Sequence, residues 1–160
     1  FAGYFVKGVN TTIVYPSRDA NSVTKFMNTL HQNSSKIGSN INVYGTKEWT
    51  SMDKVKNYYK NTYNFHFSMG NDLDYTTANT KKMVRAFRAK YNTDMTKIMA
   101  QGFDVMYYFA MKLFLDKEPN NLIMNDFNIK KISNNDGFEN VSTYIYKQID
   151  FDYILQGKIK

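Results

Sequence analysis

Hydrophobic and polar positions near the start of the chain follow the order strand, polar corner, helix. The segment Asn10–Tyr15 is rich in β-branched residues and stops at the corner Pro16–Asp19. Beyond the corner, apolar residues recur at i, i+3, i+4 and i+7, the spacing of one helix face. These residues are Val23, Phe26, Met27 and Leu30. The pattern predicts a strand followed by an amphipathic helix.

A second strand is predicted at Ile41–Tyr44, and it leads into the loop Gly45–Trp49. Strand, crossover helix and strand form a parallel βαβ unit, which places both corners at the same edge of one sheet. Ligands of open α/β sheets bind beyond the carboxyl ends of the strands. The sequence therefore predicts a binding site formed by the loops that follow these two strands.

The next two elements are predicted to be a short helix and a strand. Ser51–Lys60 carries apolar residues at helical spacing, with Asp53 in the first turn. Tyr63, Phe65 and Phe67 alternate with polar residues, as in a strand with one buried face.

Two longer helices and a group of strands complete the predicted fold. Thr77–Tyr91 is amphipathic, whereas Ile98–Leu115 is apolar on nearly all sides, which is typical of a buried helix. Asp104 is expected in the first turn of that helix, where a carboxylate suits the helix dipole. Asn134–Gly137 reads as a hairpin turn, and alternation resumes over residues 141–155. The predicted fold is α/β: a parallel βαβ sheet with flanking helices, ending in antiparallel strands.

Composition and charge narrow the classes of function. The formal net charge is +7, but the only lysine doublets are Lys81-Lys82 and Lys130-Lys131. Because no longer basic run occurs, a solvated basic surface is favoured over nucleic-acid binding. The absence of cysteine excludes disulfides, thiolate zinc sites and cysteine nucleophiles. No segment is expected to insert into a membrane.

The sequence predicts neither a metal site nor an enzyme. His31 and His66 are isolated and lack metal-ligand spacing. Asp72 and Asp74 stand two residues apart, but nothing indicates the burial that would separate their pKa values for acid–base catalysis. No phosphate loop or nucleophile elbow is present, and no cofactor is predicted.

Four passages, in their order and spacing, resemble the type 1 periplasmic binding protein family, which includes branched-chain amino-acid receptors. Residues 10–17 match a strand leading to a ligand-facing corner, and residues 43–49 match a later strand with a Gly…Trp loop. Phe87–Tyr91 matches a Phe-x-x-x-Tyr helix, and Ala100–Val105 matches the small-x-Gly-aromatic-Asp start of the next helix. Gly137–Asn140 resembles the closing turn of the family.

The resemblance implies a domain organisation. A complete member has two α/β lobes joined by hinge strands, so this chain is expected to be a carboxy-terminal half. Residues 1–68 would belong to the second lobe and residues 69–76 to a hinge. Residues 77–133 would complete the first lobe, and residues 134–160 would form the C-terminal antiparallel strands.

The resemblance also implies ligand contacts. In this family the ligand lies between the lobes, and closure buries it. Carried over by position, the second-lobe contacts are Tyr15, Ser17, Arg18, Glu48 and Trp49. In amino-acid receptors a carboxylate in the later loop accepts the ligand ammonium, while hydroxyls and backbone N–H groups hold the ligand carboxylate. Glu48 and Ser17 match these roles, although Pro16-Ser17-Arg18 replaces the glycine-rich corner of the family.

Each of these residues also has a structural interpretation. Tyr15 could be a strand-end aromatic of the core, and Ser17 or Asp19 could cap the following helix. Arg18 could pair with Asp19 at the surface. Trp49, the only tryptophan, could pack the start of a helix rather than stack on a ligand.

Three hypotheses for function follow. The first is a non-catalytic solute-binding module of a bacterial envelope substrate-binding protein, which captures a small polar, amino-acid-like solute. Its partner would be an ABC transporter permease or an envelope protein, in the periplasm or cell envelope, with a lipid anchor supplied by upstream sequence. The alternative is a degenerate binding-protein fold that serves as an interaction module associated with peptidoglycan-binding LysM proteins. A basic nucleic-acid-binding domain is the weakest hypothesis.

Overall fold

The computed structural model describes residues 8–37, 40–124, 126–133 and 137–159. Its elements, in chain order, are β1 (Thr11–Val14), α1 (Ala20–Ile37), β2 (Ile41–Gly45), a 3₁₀ helix (Lys47–Ser51), α2 (Asn57–Thr62), β3 (His66–Met69), α3 (Ala78–Tyr91), α4 (Lys97–Leu115), β4 (Ile129–Lys131), β5 (Phe138–Asn140), β6 (Thr143–Ile149) and β7 (Asp152–Ile159). The chain divides into two compact units. The first unit joins the described residues through Met69 with Tyr144–Ile159, and the second is Gly70–Thr143.

A five-stranded sheet in the order β1-β2-β3-β6-β7 forms the centre of the first unit. β1 pairs with β2, and β2 with β3, in parallel. β6 is antiparallel to β3, with His66 opposite Lys147. The mixed α/β fold, with a parallel βαβ start and an antiparallel ending, is confirmed.

The helix α1 presents its predicted apolar face to this sheet. The fully buried residues of the face are Val23, Met27 and Leu30, and they share one core with Val43 of β2 and Phe65 and Phe67 at β3. The Asp19 carboxylate accepts a hydrogen bond from the Ser22 N–H at 2.7 Å. Asp19, rather than Ser17, is therefore the N-cap that starts the helix.

The short helix begins later than Ser51–Lys60 predicted. The 3₁₀ helix ends at Ser51, and Met52 is extended, with φ −82° and ψ 104°. A turn follows, in which the Val55 N–H donates to the Met52 carbonyl at 3.0 Å. α2 starts only at Asn57. Asp53 therefore precedes the helix instead of lying in its first turn.

The strand predicted from Tyr63, Phe65 and Phe67 is shorter and more deeply buried than the alternation indicates. β3 begins at His66, and His66, Phe67 and Met69 are all buried. Of the two polar positions in β3, His66 is buried and stacks on the Tyr44 ring, whereas Ser68 is exposed, so the alternation predicts the exposure of only one of them. Tyr63 instead follows α2, with its hydroxyl 2.8 Å from His31 Nδ1.

The second unit contains α3, α4 and a small separate hairpin. The Thr77 side chain accepts from the Thr80 N–H at the start of α3, and the Thr96 side chain accepts from the Met99 N–H at the start of α4. These caps confirm both helices. The buried residues of this unit's core are Leu73, Met95, Ala100, Ile123 and Met124. Leu73 falls inside the predicted hinge, and Met69 of the same segment ends β3.

The prediction that α4 is buried all round is wrong for the chain as described. Ala100 and Asp104 are its buried residues, while Ile98, Met106 and Phe114 are 81%, 72% and 82% exposed. Although α4 is mostly apolar, the small core of this unit contacts only one narrow side of the helix, so the other apolar side chains are exposed. No helix within the described ranges combines the length and apolar character needed to cross a membrane.

Asp104 has a structural role that differs from the predicted one. α4 starts at Lys97, so Asp104 lies beyond the first turn and is fully buried. Its carboxylate accepts hydrogen bonds from the Ile123 N–H at 2.9 Å and the Met124 N–H at 2.7 Å. Asp104 thus fixes the segment after α4 against the helix, and interaction with the helix dipole is not its function.

The predicted hairpin near the end of the chain is formed by β4 and β5. Ile129 pairs with Asn140, and Lys131 pairs with Phe138, in antiparallel register. Residues 134–136 of the predicted turn lie outside the described residues.

Replacement of Asp104 by alanine should destabilise the protein strongly. The variant Asp104→Ala leaves two buried N–H groups without their acceptor, and hydrogen bonds to a charged group contribute about 1.5–3 kcal/mol each. Urea denaturation should show a fall of about 3 kcal/mol in the free energy of unfolding. The control Asp94→Ala, which removes an exposed pair with Arg88, should cost below about 1 kcal/mol. Equal losses in the two variants would contradict the assignment.

Candidate functional site

A cavity of about 420 Å³ lies at the carboxyl ends of β1, β2 and β3 in the first unit. It is lined by Val14, Pro16, Arg18, Tyr44, Gly45, Thr46, Lys47, Glu48, Phe67, Ser68 and Ile145. Most of these residues end a parallel strand or belong to the loop that follows it. We call this space the strand-end cavity.

The indole of Trp49 joins the two loops beside the strand-end cavity. Its Nε1–H donates to the Ser17 carbonyl at 2.8 Å, so the loops after β1 and β2 lie side by side. The ring is fully buried and stacks on Phe65, with centroids 5.1 Å apart and an interplanar angle of 3°. Trp49 therefore lies in the core and fixes the loop after β1 beside the cavity, without lining the cavity itself.

Gly45 is required for this packing. A Cβ atom at position 45 would lie 2.7 Å from Trp49 Cε2 and 2.8 Å from Cδ2. Those contacts are with the rigid part of an aromatic ring that is itself packed on Phe65. The Gly…Trp spacing in the sequence thus has a steric reason: only glycine leaves room for the indole.

Charged groups of both signs surround the mouth of the strand-end cavity. Arg18 Nε lies 3.5 Å from Glu48 Oε1, and both side chains are exposed. The hydrogen bond from its own backbone N–H is the main cause that lowers the pKa of Glu48, and the nearby Arg18 charge makes a smaller contribution. Glu48 is therefore a carboxylate at neutral pH. With Lys47, the mouth carries two cations and one anion.

The wall between these charges is mainly apolar and aromatic. Val14, Tyr44 and Ile145 contribute to it, together with the exposed side chain of Ser68. The Tyr44 ring stacks on His66, with centroids 4.7 Å apart. Burial lowers the pKa of His66, so this histidine is neutral at pH 7 and adds no charge behind the tyrosine.

The five residues predicted as ligand contacts separate into two groups. Arg18 and Glu48 line the strand-end cavity, while Tyr15, Ser17 and Trp49 do not. Tyr15 is half-buried and stacks on Phe26 at 4.5 Å. Tyr15 and Trp49 take the structural roles that the sequence left open as alternatives, whereas Ser17 does not cap α1 and instead accepts the Trp49 indole N–H at its carbonyl.

Two local pairings also differ from expectation. Arg18 pairs with Glu48 instead of Asp19, because the Asp19 carboxylate is engaged in capping α1. The Ser17 hydroxyl accepts from the Asp19 N–H at 3.2 Å, which uses one of its acceptor positions within the loop.

The lining residues that sequence reasoning missed include Tyr44, Lys47, Ser68 and Ile145. Tyr44 near the end of β2 and Lys47 in the following loop stand in segments that were already assigned to the site, and this position was the available signal. Ser68 stands near the end of β3, which gives a weaker signal of the same kind. Ile145 reaches the cavity only through the pairing of β6 with β3, and no local pattern indicates it.

Comparisons with protein-family models, curated proteins and solved structures gave no match for this chain. Within the part of the chain that the structure describes, no group of three or more His, Cys, Asp or Glu side chains could hold a metal ion.

Substitution of Gly45 by alanine should disturb the packing between the two loops. The added Cβ overlaps the Trp49 ring, and overpacking of this kind costs about 1–3 kcal/mol. Urea denaturation followed by the fluorescence of the single tryptophan measures the loss.

A second alanine variant provides the matched control for Gly45→Ala. At Gly102 in α4, an added Cβ meets nothing within 4 Å, and alanine is favoured over glycine inside a helix by about 0.5–1 kcal/mol. Gly102→Ala should therefore be neutral or stabilising. If Gly45→Ala proved as stable as Gly102→Ala, the steric account of the Gly…Trp pair would be wrong.

Proposed function

We propose that the chain is a non-catalytic solute-binding module of a bacterial envelope substrate-binding protein, of the kind found in the type 1 periplasmic binding protein family. Its ligand is a small polar solute with both charges of an amino acid. The observation that carries the proposal is the strand-end cavity, with Arg18, Lys47 and Glu48 around its mouth.

The arrangement of charges suits a zwitterion. Glu48 accepts a ligand ammonium, and the Arg18 guanidinium donates to a ligand carboxylate in a charge-assisted, bidentate manner. Arg18 and Glu48 pair with each other in the absence of solute. Because an exposed ion pair contributes at most about 1 kcal/mol, a solute can replace it at little cost.

The size and wall of the strand-end cavity fit the same ligand class. Its volume of about 420 Å³ lies within the range of small-molecule sites, roughly 300–1,000 Å³. Apolar and aromatic walls with a few polar groups are typical of such sites. In the proposed protein, the opposite side of the ligand is covered by the other lobe on closure.

The proposal extends to partners and location. A solute-binding module of this family delivers its ligand to an ABC transporter permease or an envelope protein. We therefore place the chain in the periplasm or cell envelope of a bacterium.

A second candidate is an envelope interaction module that has lost solute binding and is associated with LysM proteins. The exposed apolar side of α4 supports it, since contiguous apolar patches mark contact surfaces. Under the first candidate, the same side of α4 is covered by the rest of the lobe that α3 and α4 complete. Solute binding therefore separates the two candidates.

Isothermal titration with amino acids, short peptides and sugars tests the proposal. We expect an amino acid to bind and to raise the melting temperature, because a ligand that binds only the folded state stabilises it. Glu48→Gln and Arg18→Gln should each weaken the affinity about tenfold, a loss of about 1.4 kcal/mol. Neither variant should unfold, since both side chains are exposed.

Two variants in the second unit serve as charge-matched controls. Glu139→Gln and Arg85→Gln remove the same charges at exposed positions and should leave the affinity unchanged. Affinities unaffected by Glu48→Gln and Arg18→Gln would remove these residues from the site. The absence of binding across the whole panel would contradict solute capture and favour the interaction module.

A further inference from the structure

A buried lysine lies in α2, outside the strand-end cavity. Lys60, in the last turn of α2, is only 1% exposed. Among the described residues, its ammonium has one hydrogen bond, to the Thr50 carbonyl at 3.4 Å, which is long for an N–H···O contact. No carboxylate of the described chain lies within salt-bridge distance of it.

A lysine in this state lacks the partners that its charge demands. An ammonium group has three donors, and lysine is almost never fully buried unless it is paired. Burial lowers the pKa of Lys60, and the more distant Asp53 carboxylate acts in the opposite direction. An external group that supplies acceptor oxygens and negative charge would remove this deficit.

Lys60 also borders an open space that can receive such a group. A cavity of about 240 Å³ is lined by Lys60 together with Thr50, Asp53, Lys56 and Asn57, and Phe151 forms part of its wall. None of these residues lines the strand-end cavity. We call this second space the lysine cavity.

We propose that the lysine cavity binds a small monocarboxylate, which accepts hydrogen bonds from the Lys60 ammonium inside and lies near Lys56 and Asn57. The charges decide between anions. Lys56 and Lys60 together exceed Asp53 by one positive charge, which matches a singly charged carboxylate. A phosphate dianion would carry one negative charge more than the lining neutralises, and it would lie beside the Asp53 carboxylate, which repels it. The site is independent of the proposed zwitterion site.

An NMR titration of the whole chain with acetate tests this inference. We expect saturable shifts, in the millimolar range, at the backbone amides of Thr50, Asn57 and Lys60, with ionic strength held constant by chloride. Inorganic phosphate at the same concentrations should give shifts that are at least several-fold weaker. Amides of Gly45 and Glu48 report separately on the strand-end cavity, so the two sites can fail independently.

Lysine variants identify the group responsible. Lys60→Met should weaken acetate binding at least tenfold, and it should fold, because an apolar side chain of similar volume often replaces a buried charge without loss of stability. Lys54→Met is the matched control: Lys54 is exposed and donates to Asn21 Oδ1 at 3.0 Å, outside the lysine cavity. It should bind acetate as the parent does.

Several results would overturn the inference. Shifts that rise linearly without saturation, or that centre on other amides, contradict a site at Lys60. Saturable binding that survives in Lys60→Met contradicts the role of its ammonium, and phosphate binding as tight as acetate contradicts the charge argument. If Lys60→Met failed to fold, the parent chain would still test the inference: saturable shifts at Thr50, Asn57 and Lys60 would support the site, and their absence there would contradict it.

Discussion

The Trp49 indole lies against Gly45 and Phe65, and its N–H donates to the Ser17 carbonyl. Burying a large aromatic side chain contributes about 1.5–3 kcal/mol, and its hydrogen bond contributes about 1 kcal/mol more. This contact holds the loop after β1 beside the loop after β2. The parallel pairing of β1 with β2 brings the two loops together, and the Trp49 contact fixes them there. Arg18 Nε consequently lies 3.5 Å from Glu48 Oε1 at the mouth of the strand-end cavity.

Local periodicity was sufficient to predict the elements in which the spacing of apolar residues matches the buried face. The i, i+3, i+4, i+7 spacing of Val23, Met27 and Leu30 identified the buried face of α1, and the order of strands and helix gave the parallel pairing of β1 and β2. The extent of burial was predicted less well. The apolar composition of α4 is typical of a buried helix, but Ile98, Met106 and Phe114 are exposed, and composition alone does not show which sides of a helix are covered.

Only some of the residues that line the candidate site were predicted, because the pattern along the chain locates a loop but not the direction of each side chain. Strand ends and their loops located Arg18 and Glu48, but side-chain direction could not be read from the same pattern. Tyr15 directly follows β1 and Trp49 lies in the 3₁₀ helix after β2, and each packs on an aromatic ring of the core instead of lining the cavity. Lys60 gave no signal at all, because a lysine in the last turn of a short helix normally extends into solvent.

The hydrogen exchange of the Trp49 indole N–H is the most direct test of this account. The chain has one tryptophan, so its indole proton is unambiguous in an NMR spectrum. We predict that this proton exchanges with solvent orders of magnitude more slowly in the native protein than in denaturing urea, and that it shows nuclear Overhauser contacts to residues 16–18. Exchange at the rate of an exposed indole, with no contact to that loop, would contradict the central claim that Trp49 joins the two loops.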